Sequence, residues 1–173
     1  KEYVMEIICC LDEQLELSRQ ENSNLILKYL GKHDDFYLDV LTGAYNRRFY
    51  EEKIKHQTTP AGIVMLDVDD FKIYNDTFGH DFGDRVLKMI VEHIKNSLRN
   101  QDKLIRYGGD EFIIYLPNIE IEDFYLIMQN ILENIHHATI RRYESVQFSL
   151  SAGITMYQTG TIEEAVSLAD HLL

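Results

Sequence analysis

Cysteine is nearly missing from this 173-residue chain: the two present, Cys9 and Cys10, are neighbours. Adjacent cysteines give no disulfide framework and point to a reducing compartment. Long apolar runs are also missing, none approaching the roughly 18 residues that a membrane-spanning helix requires. Basic residues are few, 17 Lys and Arg against 29 Asp and Glu, for a formal charge of −12. That balance excludes the basic stripe of a nucleic-acid-binding surface, though a bound metal can still bring in a nucleotide by offsetting local negative charge. Familiar nucleotide and metal signatures are absent too. There is no GxxxxGK[ST] loop, no GxGxxG turn, no HExxH helix and no zinc-like cysteine spacing. With 45% apolar residues the chain is still rich enough for an ordinary globular core.

What the chain does have is two acidic clusters at the ends of apolar runs. Ile63-Val64-Met65-Leu66 leads into Asp67-Val68-Asp69-Asp70, and Gly108-Gly109-Asp110-Glu111 precedes Phe112-Ile113-Ile114-Tyr115-Leu116. The second pattern predicts a tight β-hairpin over 103–116, its glycines supplying the φ > 0 conformations of a two-residue turn. Carboxylates at neighbouring strand ends suit a hard divalent cation with oxygen ligands. Lys72 follows five residues after Asp67, at the start of a predicted helix, where free amides and a cation can hold phosphate. The run is no EF-hand, because Lys72 stands where that loop needs glycine. His80, after Gly79, reads as a helix-start residue rather than a ligand.

Residues 4–29 carry a four-then-three spacing, Val4, Ile8, Leu11, Leu15, Ser18, Asn22, Leu25 and Tyr29. Two arrangements fit it, an amphipathic helix folded onto its own domain or a dimeric coiled coil. Gly31 and the polar residues 32–35 end this leader, so the expected division is a helical leader and linker over 1–38 and a second domain over 39–173. Beyond it, the predicted elements are a helix at 46–56, a buried strand at 61–66, helices at 71–78 and 84–98, the hairpin, a helix at 121–136, a long strand at 146–156 and a helix from 162. Strands separated by helices plus one hairpin predict an α/β (α+β) fold. Its mixed central sheet is ferredoxin-like, or palm-type, and covered by helices, with the N-terminal leader helix in front.

Five blocks in order resemble the GGDEF domain, the diguanylate cyclase family. They are Asp39-Val40-Leu41-Thr42-Gly43 with Asn46-Arg47-Arg48, the stretch from Asp67 to Asp84, the run from Arg106 to Phe112, Ser149 to Ile154, and Ala169-Asp170. The resemblance implies metal ligands at Asp67, the Val68 carbonyl, Asp110 and Glu111, with Mg²⁺ or Mn²⁺ as the cofactor. It implies guanine contacts at Asn75 and Asp84, since a carboxylate accepts from guanine's N1–H and amine as it could not from adenine. Lys72 and the amides near Asp70 and Phe71 then hold the phosphates of GTP, and Glu111, Asp110 and Lys72 are the catalytic candidates. The product implied is cyclic di-GMP, made by two domains meeting face to face, with the leader joining them as a homodimer under an upstream sensor.

Arg99-Asn100-Gln101-Asp102 resembles the family's RxxD product site, which makes Arg99 and Asp102 candidates for feedback inhibition by cyclic di-GMP. The domain is expected in the cytoplasm, with any membrane tether lying upstream. A binding module for GTP or cyclic di-GMP is the alternative to an enzyme, and a dimerising scaffold the third reading. Two departures stand out. Ala44 replaces the family's usual leucine, which loosens the wall expected beside the guanine, and a lysine and an arginine expected after the Ala-Asp pair lie past Leu173. The sequence therefore reads as a fragment of a longer protein, weak in activity by itself.

Overall fold

Ala61–Val68 is apolar along almost its whole length because it is an interior strand of a sheet covered on both faces. The computed structural model describes residues 36–173; the leader at 4–29 lies outside the described residues. One compact unit runs over Leu38–Leu173. Its elements are β1 (Tyr45–Asn46), α1 (Arg47–Phe49) continuing as a π-helical stretch (Tyr50–Ile54), β2 (Ala61–Val68), α2 (Phe71–Phe78), α3 (His80–Ser97), β3 (Lys103–Arg106), β4 (Glu111–Pro117), α4 (Ile121–His136), β5 (Leu150–Tyr157) and α5 (Ile162–His171).

The five strands lie in the order β1-β3-β4-β2-β5. Only β1 pairs in parallel, with β3; the other pairings are antiparallel. Without β1, the remaining strands and helices form the βαββαβ arrangement of a ferredoxin-like sheet, as the sequence predicts. Alternation along β2 divides the core. Val64, Leu66 and Val68 pack with α3 and α4, while Ile63 and Met65 pack with α5 and the 50–54 stretch. Each such large aliphatic side chain contributes roughly 1.5–3 kcal/mol on burial. Gly153 on β5 is needed where α5 crosses, because a β-carbon there would collide with the Ala169 carbonyl.

Several boundaries differ from the sequence reading. The helix expected at 46–56 begins as the two-residue strand β1, too short to show a period, and its last turns widen through a Lys55 amide to Tyr50 carbonyl bond of 2.8 Å. Helix α3 starts at His80 rather than residue 84, because Gly79 (φ 87°) alone makes the corner after α2. Strand β5 starts at Leu150, four residues late, since 146–149 lie outside the ladder. Ala44 is wholly buried in the α3 side of the core.

Candidate active site

The ladder brings the two acidic clusters together. Asp67 on β2 is the register partner of Glu111 on β4 and of Ser151 on β5, so these three side chains share one face at one end of the sheet. Backbone bonds close the end of the sheet, with the Val68 amide donating to the Asp110 carbonyl at 3.3 Å and the Asp69 amide to Ser149 at 3.2 Å. Burial pushes the Asp67 carboxyl above the ordinary aspartate range, and the charges of Asp110, Glu111 and Asp69 push it further. Such a group of mutually repelling carboxylates gains from a cation.

The hairpin differs from its expected form. Tyr107 and Gly108 both donate to the Glu111 carbonyl, at 2.9 and 3.2 Å, closing a longer loop than a two-residue turn. Neither Gly108 nor Gly109 has φ in the left-handed region. Gly108 instead leaves room for the Glu111 carboxylate, which folds back over it where a β-carbon would otherwise sit. Gly109 has open space around it. What holds the loop is Arg106, whose Nε and Nη2 donate to the Gly109 carbonyl at 3.1 and 2.7 Å. Its Nη1 donates to Asp39 Oδ1 at 3.0 Å, and that carboxylate also accepts from the Thr42 amide (2.9 Å) and hydroxyl (2.6 Å). Burial alone would raise the Asp39 pKa, but these bonds from Thr42 and Arg106 outweigh it and hold the group below its ordinary value.

After the acidic strand end the chain turns through Asp70 in the left-handed region (φ 58°) and enters α2. No side chain caps this helix, which leaves the amides at its start, beside the exposed Lys72 and half-buried Phe71, turned to an incoming anion. Asn75 and Asp84 meet at the corner between α2 and α3. A β-carbon on Gly83 would overlap the Asn75 carboxamide, so the glycine is what lets that side chain lie beside the first turns of α3, next to the exposed Asp84.

Arg99 and Asp102 stand at the other end of β4, where Arg99 Nη2 donates to the Pro117 carbonyl at 3.2 Å. From Glu111 to Pro117 that is about 20 Å along the strand, at roughly 3.3 Å per residue. Asp102 has no exposed side-chain area. Its oxygens accept from the Arg99 amide (2.8 Å) and from Arg99 Nη2 (2.8 Å), so the guanidinium, 37% exposed, is the member of the pair that faces solvent.

Sequence reasoning left Asp69 and Ser151 unassigned, yet Ser151 Oγ donates to Asp69 Oδ1 at 2.6 Å, directly beside Asp67 in the ladder. The SxG stretch of β5 was the only signal for it. Among the described residues no three acidic, histidine or cysteine side chains already converge as a metal cage. The donor set, carboxylates plus a strand-end carbonyl, nevertheless fits Mg²⁺, which commonly takes one or two carboxylates and completes its shell with water and phosphate. No helix among the described residues is long and apolar enough to cross a membrane.

A family model described as "Diguanylate cyclase, GGDEF domain" matches residues 36–173. The chain belongs to the GGDEF diguanylate cyclase domain family. It is 33% identical over 146 residues to diguanylate cyclase DosC of Escherichia coli, covering 79% of this chain and 32% of DosC. Among solved structures it resembles diguanylate cyclase SiaD of Pseudomonas aeruginosa, crystallised with its activator SiaC, with a TM-score of 0.77, 29% identity and coverage of 99% of this chain and 69% of that one. The coiled coil and GGDEF domain of DgcB from Caulobacter crescentus, in complex with c-di-GMP, shares the fold with a TM-score of 0.80 at 22% identity, covering 93% of this chain and 91% of that one. The chain spans about a third of the length of the curated relative DosC.

Proposed function

We propose that this domain condenses two molecules of GTP into cyclic di-GMP and releases pyrophosphate. The observation that carries this is the register setting Asp67 opposite Glu111, with Asp110 beside them, at the start of the uncapped helix α2. Asp67, the Val68 carbonyl, Asp110 and Glu111 would hold Mg²⁺ or Mn²⁺. When bound, the cation offsets the triphosphate's charge and lowers the pKa of the attacking 3′-hydroxyl. Lys72 and the amides around Asp70 and Phe71 bind the β- and γ-phosphates and steady the charge that builds up there as pyrophosphate departs. Asp84 accepts from guanine N1–H and its amine, while the Asn75 amide donates to an acceptor on the base. Glu111 takes the 3′-hydroxyl proton as that oxygen attacks the α-phosphorus of the second nucleotide. One domain holds one GTP, so two domains face each other, and the leader at 4–29 raises their local concentration as a parallel pair.

Arg99, through its solvent-facing guanidinium, receives a phosphate of the product, with Asp102 orienting it rather than reading guanine in the conformation seen. An upstream sensor sets the pairing of domains, and the nucleotide substrate keeps the domain on the cytoplasmic side. The test is incubation of the protein at high concentration with Mg²⁺ and GTP, followed by chromatography. Cyclic di-GMP is the expected product. GTP binding by calorimetry without any cyclic dinucleotide would reassign the domain as a nucleotide-binding module.

A further inference from the structure

The two helices that carry Asn75 and Asp84 are joined by the single residue Gly79, and their angle must be fixed if the corner is to read a base. The structure supplies a strap. The segment between α4 and β5 passes over the back of this corner and is tied there by rings. Tyr143 lies 4.4 Å from Phe82 and 5.4 Å from Phe78, centroid to centroid, and Phe78 and Phe82 are themselves 4.8 Å apart. These are the spacings of aromatic pairs that prefer tilted and edge contacts. Arg85, next to Asp84, crosses to the same segment: its Nη2 donates to the Arg141 carbonyl at 3.0 Å and its guanidinium carbon sits 5.6 Å from the Tyr143 ring centre. Arg142, between the two anchor points, is held in the left-handed region (φ 76°), a backbone state that a β-carbon disfavours.

The other end of the strap reaches the carboxylate end of the sheet. The Tyr74 hydroxyl of α2 donates to the Gln147 carbonyl at 3.1 Å, and two residues on, the Ser149 carbonyl accepts from the Asp69 amide. One short segment thus touches α3 beside Asp84, α2 beside Asn75 and the turn that follows Asp67.

We infer that the 140–149 segment is a positioning strap for purine selection, with Tyr143 and Arg85 setting the α2–α3 corner so that Asp84 meets both donors of guanine. Neither residue touches the base; both act through Asp84. This rests on the guanine reading of Asn75 and Asp84 given above. A carboxylate facing guanine has two donors to engage, N1–H and the exocyclic amine, whereas hypoxanthine offers only the first. Angular slack in the corner therefore costs guanine more than hypoxanthine. Loss of overall stability lowers the folded fraction for both alike and leaves their ratio unchanged.

The experiment uses calorimetry with 3′-deoxy-GTP and 3′-deoxy-ITP in Mg²⁺, since neither nucleotide carries the attacking hydroxyl. The parent is expected to prefer the guanine nucleotide. Tyr143→Ala should lose about 3–10-fold in affinity for it, the range of one weakened hydrogen bond, and much less for the hypoxanthine analogue. Tyr143→Phe, which keeps the ring contacts, should behave as the parent. Arg85→Ala, an exposed site that leaves the ring stack in place, should move the ratio in the same direction. Equal losses for both nucleotides, or none, in Tyr143→Ala and Arg85→Ala would overturn the strap. An unchanged affinity in Asp84→Ala would instead overturn the guanine reading on which it depends.

Discussion

Removing one charge from the carboxylate end of the sheet should stabilise the fold while abolishing its function. Asp67 faces Glu111 across the ladder and feels Asp110 and Asp69 as well. Directly opposed strand residues have β-carbons about 4.5–5.5 Å apart. For charges some 6 Å apart, an effective dielectric near 20 gives about 3 kcal/mol per pair as an upper bound. Partial exposure and salt reduce this, and opposed like charges on strands typically cost ~0.2–1 kcal/mol each. Three neighbours together make roughly 1–2 kcal/mol, which for a domain of this size is on the order of 2–8 °C in Tm. Asp67→Asn should therefore melt about that much higher than the parent at pH 7, in chelator and low salt.

The sign with pH follows from the direction of the shift. The folded-state pKa of Asp67 is raised, so the protonated form suits the fold best. The penalty is absent below the unfolded value of 3.8 and grows as pH rises through the folded value, so the two melting curves should converge below about pH 3.8. Adding Mg²⁺ should raise the parent's Tm through binding to the folded state and leave Asp67→Asn nearly unmoved. Differential scanning calorimetry across this grid decides the matter. A variant that melts lower than the parent at pH 7 in chelator would refute the idea that these carboxylates repel one another unrelieved.

Three further outcomes are expected. Asp39→Asn should lose about 1–2 kcal/mol at neutral pH, since its bonds from Arg106 and Thr42 are charge-assisted; because its folded pKa is lowered, that difference should close as pH falls below 3.8, as chemical denaturation at several pH values will show. Gly83→Ala should weaken GTP binding by displacing the Asn75 carboxamide, with secondary structure unchanged by circular dichroism. Arg99→Ala should destabilise by about 1–3 kcal/mol, because buried Asp102 loses its guanidinium partner and keeps only the amide of residue 99. The double change Arg99→Ala with Asp102→Ala is accordingly the variant in which loss of product inhibition can be read, by rate measurements with added cyclic di-GMP.

The sequence by itself determined the parts that depend on local order. Continuous apolar residues at 61–66 made a buried strand, four-residue spacing from Val86 to Leu98 made a helix, and the ordered blocks from Asp39 to Asp170 carried the family. Period and motif are properties of neighbours in the chain, so they survive without coordinates. The tertiary structure alone decided what depends on pairing. The two-residue β1 has no period to read and exists because β3 is there to receive it. The glycines of the hairpin carry no signature distinguishing a φ > 0 turn from the need to make room for the Glu111 side chain, and the structure shows the second at Gly108 and neither at Gly109. The same holds for Ser151 with Asp69 and Tyr143 with Phe82, separated by 82 and 61 positions along the chain. A bond across such a distance is set by ladder register and helix packing, which no stretch of sequence contains by itself.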